Sequence, residues 1–231
     1  MPGATFTFAG VTSGAMKSLV LGPSVAAFGL AVGVLAAGKG LTTLEAALMS
    51  TWVNAGSAQM ASLQIWAQPI PVLTLVLTVL AMNARYVLLG AALRPHFGAL
   101  PPWQMYPTLF VMGDGNWALT LHEINEGRRD AGFLLGSGLL TFAIWLVAVV
   151  IGQLFGLVLG DPRRYGIDFL LAAFFATLSV GFFRAHRGVT ALVVAIAVAI
   201  AVQKLVPGPW YIFAGALAGS LAGALRRVDQ A

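Results

Sequence analysis

Arg85 and Asp114 are the charged side chains best placed to do chemistry inside this chain. Arg85 stands in the run V-L-A-M-N-A-R-Y, close behind Asn83, and Asp114 stands in F-V-M-G-D-G-N-W-A-L, close before Asn116. Upstream lies S-T-W-V-N-A-G-S-A-Q-M, with Ser50, Asn54, Gly56, Ser57 and Gln59. All of these sit in text otherwise apolar enough for lipid. An arginine at mid-membrane costs ~2.5–3.5 kcal/mol on insertion scales. Such groups are kept where they face protein or a water-filled cavity, and there they mark paths for substrates or ions. A guanidinium offers a planar fork to a carboxylate, and Asp114 offers a partner to an ammonium. The expectation is that Arg85 and Asp114 face one cavity, directly or through a substrate. Asn54, Gly56, Ser57, Gln59, Asn83, Arg85, Asp114 and Asn116 are the candidate substrate-binding residues. The bland alternatives are that Arg85 snorkels, that Asp114 lies in a wet turn between Gly113 and Gly115, and that the Asn, Ser and Gln side chains join helices to one another.

Spacing sharpens the stretch around Asn54. On a regular helix Ser50, Asn54, Ser57 and Ala61 share a face, and Gln59 falls off it. If the helix opens near Ala55–Gly56, Gln59 joins a site more easily, and freed backbone N–H and C=O groups become ligands, as in discontinuous transporter helices. Phe28, Trp52, Met60 and Trp117 are candidates for an apolar lining.

Enzyme readings find no support. No P-loop and no G-x-S-x-G elbow is present, and an intramembrane aspartyl protease needs two neighbouring carboxylates. With 0 cysteines there are no thiolate metal sites or disulfides. His96, His122 and His186 lie in or beside loops without metal-ligand spacing, so neither a metal nor a cofactor is assigned.

The elements that position these residues follow from composition. The chain has 231 residues, of which 59% are hydrophobic and 9% charged. A soluble domain carries ~25% charged residues; this composition describes one integral membrane domain over residues 1–231, an all-α polytopic helical bundle. On the ruler of ~20 apolar residues per crossing, about seven to eight transmembrane segments fit, near 18–38, 42–66, 70–93, 104–122, 131–160, 167–184, 188–206 and 209–225. The first is bounded by Lys17 and Lys39, with Gly22-Pro23 as a kink. The fourth, with Pro107 and G-D-G-N, reads as broken or re-entrant. R-P-H-F-G-A-L-P-P-W reads as a surface loop with Trp103 an interfacial anchor, and H-E-I-N-E-G-R-R-D as a stretch in water. Gly132, Gly136, Gly152, Gly156 and Gly160 recur at four-residue multiples, a close-packing signature. Asp168 reads as a helix cap and Asp161-Pro162 as a turn. Segment 188–206, nearly all Val, Ala and Ile, reads as lipid-facing.

The net charge of +5 is spread over segment ends, as orientation signals are, with no basic-aromatic cluster for nucleic acid. Eight crossings with the N-terminus inside put Lys17, Arg128, Arg129, Arg184, Arg187, Arg226 and Arg227 inside, and Lys39, Arg94, Arg163, Arg164 and Lys204 outside. No cleavable leader is read at the N-terminus, so the first span would serve as the insertion signal. G-L-T-T-L-E-A-A-L-M and G-I-D-F-L-L-A-A-F-F form a faint candidate internal repeat.

Five motifs in order carry a resemblance. A-L-M-S-T-W-V-N-A-G-S-A-Q-M resembles a small-residue turn followed by A-G-x-x-Q, and V-L-A-M-N-A-R-Y an N-x-R-H/Y motif. F-V-M-G-D-G-N-W-A-L resembles T-D-E-x-F-A, and D-P-R-R-Y-G-I-D-F and P-G-P-W-Y-I-F-A-G-A-L-A-G fit the same family's C-terminal half. The family is AzlC, the large subunit of two-component branched-chain amino acid exporters. The resemblance implies a secondary transporter in the bacterial inner membrane, exporting valine, leucine, isoleucine or similar amino acids on the proton gradient, with a small AzlD-type membrane partner and no catalytic residues. A homo-oligomer is left open. Here Asp114 stands alone where the family has an acidic pair, Gly113 replaces a threonine, Tyr86 stands where histidine is common and Asn54 where an aromatic is usual. Two other readings stand beside export: a transporter of another small solute, and a non-transporting scaffold subunit.

Overall fold

The structure, a computed structural model, describes residues 4–159, 189–206 and 210–228. The chain starts α1 (Phe8–Ser18) at Thr7, whose hydroxyl accepts from the Gly10 N–H at 2.9 Å. A 3₁₀ turn at Leu19–Leu21 leads into α2 (Gly22–Gly38), where Pro23 occupies the first turn and deprives no helical acceptor. The two form one apolar rod of 31 residues from Phe8 to Gly38. Lys17 therefore lies within the rod and does not bound it.

Helix α3 (Thr43–Trp52) opens on a reciprocal capping box: Thr42 Oγ1 accepts from the Glu45 N–H, and the Glu45 carboxylate accepts from the Thr42 N–H at 2.8 Å. After a break at Val53–Ala55 the chain continues as α4 (Gly56–Ile65). This pair is not a crossing. Lys39, just beyond α2, donates from Nζ to the Trp66 carbonyl just beyond α4, at 3.4 Å, and Leu41, Ala46 and Leu63 share one core cluster against Trp66. Both ends of α3–α4 thus lie at the end of the molecule where α2 finishes. Segment 42–66 enters and returns.

Helix α5 (Val72–Phe97) then runs back along the rod. It passes through Arg94, Pro95 and His96 to Phe97, which is fully buried, so the expected surface loop begins only at Gly98. Pro95 sits in the last turn, where one lost N–H is tolerated. A second broken pair follows: α6 (Pro102–Phe110) and α7 (Asp114–Asn125), separated at Val111–Gly113. Its ends also lie together, at the opposite end of the molecule. Trp103 meets Phe6 with ring centroids 6.5 Å apart, and Leu100 and Met105 pack on the cluster that holds Phe97, Ile124 and Ala131. The broken or re-entrant reading of 104–122 matches this hairpin. H-E-I-N-E-G-R-R-D is mixed: His122, Asn125, Glu126, Gly127 and Arg128 are exposed, as expected, but Glu123 and Ile124 are buried on α7. Glu123 is tolerated there because Lys17 Nζ and Arg128 Nε reach its two oxygens at 2.7 and 2.6 Å.

Helix α8 (Ala131–Leu159) is the spine. It runs parallel to the α1–α2 rod, from Asp130 beside Thr7 to Gly156 beside Ala37. Glycines let the two backbones touch. A Cβ at Gly136 would stand 1.8 Å from the Val11 carbonyl oxygen, one at Gly14 2.0 Å from that of Phe133, one at Gly33 2.1 Å from that of Val149, and one at Gly152 2.2 Å from that of Leu30. The glycine spacing read along this segment marks that contact.

Helices α9 (Val189–Leu205) and α10 (Trp210–Val228) pack on each other, Gly215 and Gly219 of α10 lying against Ala195 of α9. No described residue of α9 is buried, as a lipid-facing segment requires. Segment 167–184, with Asp161, Asp168, Gly160, His186 and the second copy of the faint repeat, lies outside the described residues.

The described residues thus give an all-α bundle with three helices long and apolar enough to cross a membrane, two broken hairpins and two shorter apolar helices. Two of the seven to eight expected crossings are hairpins. A different repeat emerges: rod plus hairpin over Phe8–Ile65, then rod plus hairpin over Val72–Asn125, in opposite directions.

Candidate functional site

The tips of the two hairpins meet halfway along the rods. At the first, Val53 leaves the helical conformation, Ala55 is extended, and Ala55 provides no side-chain cap for α4. The leading N–H groups of α4 have no helical acceptor, and the helix dipole adds positive charge at that point. At the second tip, extended Gly113 precedes α7, and its N–H donates to Asn116 Oδ1 at 2.7 Å, while Asn116 Nδ2 donates to the Val111 carbonyl at 3.0 Å. Asn54 joins the tips, donating from Nδ2 to the Phe110 carbonyl at 3.0 Å. Its own carbonyl accepts from the Tyr86 hydroxyl at 3.3 Å.

Both tips line a half-open cavity of about 490 Å³, with α2, α5 and α8 contributing the rest of its lining, within the ~300–1,000 Å³ of small-molecule sites. Arg85 reaches it from mid-α5. Its Nη1 lies 3.1 Å from Asp114 Oδ2, and its Nη2 donates to Ser57 Oγ at 2.9 Å. The guanidinium also lies 5.2 Å from the Tyr86 ring centroid. Asp114 is the first residue of α7, so its carboxylate faces the positive end of its own helix. The two side chains are 39% and 56% exposed among the described residues. A pair that open contributes about 0–1 kcal/mol, weak enough for a ligand to part.

Of the sequence-derived candidates, Asn54, Gly56, Ser57, Arg85, Asp114 and Asn116 line the cavity. Gln59 and Asn83 do not. Gln59 is fully buried; its amide donates to the Val53 carbonyl at 2.5 Å and accepts from the Ser50 hydroxyl at 3.1 Å, stitching the first break together. The face expected to join Ser50, Asn54 and Ser57 is divided by that break. The apolar lining differs more. Phe28 lines the cavity, but Trp52 is 75% exposed, Met60 is in the core, and Trp117 packs elsewhere, donating from Nε1 to the Leu89 carbonyl at 3.1 Å. In their place stand Leu21, Val25, Phe142 and Trp145. These were invisible in the sequence because apolar residues in apolar helices carry no mark. Only Tyr86, noted as a departure from a family pattern, had a signal.

The site therefore places a cation, an anion and a helix N-terminus on one side and aromatic and aliphatic groups on the other. That arrangement can hold a small molecule with both charges and an apolar body. Among the described residues no three His, Asp or Glu side chains come together as a metal site.

Comparison with curated proteins gave no match, nor did comparison with solved structures. A family profile, that of the AzlC protein, matches residues 20–159, which span the α1–α2 rod from its 3₁₀ turn, both hairpins and α8. The match covers more than half of the chain and contains both cavity-lining tips, Arg85 and Asp114: the chain belongs to the AzlC family.

Proposed function

We propose that this chain is the large subunit of a secondary transporter that exports branched-chain or similar apolar amino acids across the bacterial inner membrane. Membership in AzlC, a family of transporters, supports a general transport role. The finer reading rests on one observation, the Arg85–Asp114 pair on the wall of a largely apolar cavity. A zwitterion suits such a pair. Its carboxylate takes Arg85 and the N-terminus of α4, its ammonium takes Asp114, and the two protein charges lose each other only to gain substrate charges. Ser57 and Asn54 orient the carboxylate end, and the apolar wall receives the side chain. Opposed half-helices meeting at a central site are how many secondary transporters build a site reachable from alternate sides. A small AzlD-type membrane subunit is the partner, as the family implies.

The test is flux of labelled valine and leucine in proteoliposomes, with and without the small subunit, under an imposed proton gradient. Export on the gradient is expected. Arg85→Ala should lower it about tenfold to a hundredfold, the worth of hydrogen bonds to a charged group at ~1.5–3 kcal/mol. No amino acid flux, with folded protein present, would favour the scaffold reading; flux of a different small solute would favour another cargo.

A further inference from the structure

Phe28 and Trp145 form the apolar wall of the cavity next to the first tip. Their rings meet edge to face, with centroids 5.5 Å apart and planes at 74°. Both also touch the first residue of α4. A Cβ at Gly56 would stand 2.5 Å from Trp145 Cη2 and 2.8 Å from Phe28 Cε1. Gly56 is thus the spacer that lets two rings lie against an uncapped helix N-terminus. The rings are backed by the core: Trp145 is 8% exposed and belongs to the cluster of Ala31, Val32, Met60 and Val149, with Phe28 packed on its edge.

We infer that Phe28 and Trp145, brought against α4 by the absence of a side chain at Gly56, set the length of the apolar side chain that the cavity accepts. The inference rests on the amino acid reading above. A carboxylate held by the α4 N-terminus and Arg85 has its α-carbon beside Gly56, so the side chain starts at the ring edges and grows along them. A close-packed wall cannot withdraw. Length is then discriminated by contact, at ~10–200-fold per methylene in an apolar pocket. Removing ring atoms lengthens the accepted side chain. A methyl group at Gly56 pushes the rings into the cavity and shortens it.

The experiment is inhibition of labelled valine counterflow in proteoliposomes by unlabelled alanine, valine, leucine and phenylalanine. Phe28→Ala and Trp145→Leu should shift the leucine-to-phenylalanine preference toward phenylalanine by about tenfold or more. Gly56→Ala should lose leucine by about tenfold while keeping alanine, and Phe28→Ala introduced into Gly56→Ala should restore leucine. The restoration separates a size effect from damaged folding. An unchanged size order in variants that still carry valine would overturn the inference and leave the transport reading standing. So would a loss in Gly56→Ala that is equal for all sizes and not relieved by Phe28→Ala. No flux of any of the series in the unaltered protein would remove the amino acid reading, and this inference with it.

Discussion

Arg85 and Gln59 are both polar side chains in apolar helices, yet they do different work. Arg85 pairs with Asp114 on the cavity wall, whereas Gln59 spends both ends of its amide on Val53 and Ser50. The charged pair was legible in the sequence, since a lone arginine and a lone carboxylate in lipid-like text have few tolerable partners besides each other. Gln59 was not, because its role depends on where the backbone turns. Gln59→Ala would leave the buried Ser50 hydroxyl without its partner, at about 1–3 kcal/mol, and the Val53 carbonyl with the Ala55 N–H, at 2.7 Å, as its remaining donor. The melting temperature in detergent should fall by several degrees, and a variant as stable as the parent would refute the stitching role. Asp114 allows a transport test. If it holds the substrate ammonium, Asp114→Asn should lower uphill export of valine and valine–valine exchange together. Undiminished exchange in that variant would mean that the ammonium is held elsewhere.

At the scale of the element, glycine is what lets the rod and α8 share a face. Four-residue multiples of glycine along α8 pointed to close packing, and α8 does carry Gly136 and Gly152 against carbonyls of Val11 and Leu30. The partner helix could not be read, because spacing says which face is smooth and not what covers it. Gly136→Val should therefore remove most folded protein, as seen by size-exclusion chromatography, since its Cβ would start 1.8 Å from an oxygen. Gly90→Ala on α5 is the control. Nothing lies within 4 Å of that Cβ, and a mid-helix alanine is worth about 0.5–1 kcal/mol over glycine, so stability should hold or rise. Breaks were half legible. Ala55–Gly56 could be suspected of opening and G-D-G-N of interrupting a helix, because glycine weakens both. That each break is a return, and not a kink, was hidden: a stretch of twenty-odd apolar residues is long enough for one crossing or for two half-crossings.

For the whole molecule, this ambiguity decides the topology. Counting 42–66 and 104–122 as crossings separates Arg94 from Arg128 and Arg129 on opposite sides of the membrane. With the hairpins returning, all three lie at the N-terminal end of the rod, the end of Phe6, Trp103 and Ala131, and Lys39 lies at the other with Trp66. Within residues 4–159 the charge bias then favours one side, and the positive-inside rule predicts that the rod's N-terminal end faces the cytoplasm. The chain has 0 cysteines, so single cysteines can report sidedness without background. Lys39→Cys and Gln68→Cys flank the first hairpin, and Ala99→Cys and Glu126→Cys flank the second; all four native side chains are exposed among the described residues. In intact cells a membrane-impermeant maleimide should label Lys39→Cys and Gln68→Cys from outside. It should reach Ala99→Cys and Glu126→Cys only once the membrane is opened. Re-entrant hairpins require each flanking pair to behave alike and the two pairs to behave oppositely. Labelling that alternates from Lys39 to Gln68, and again from Ala99 to Glu126, would mean that both segments cross, and the meeting of two opposed tips at one cavity would have to be abandoned.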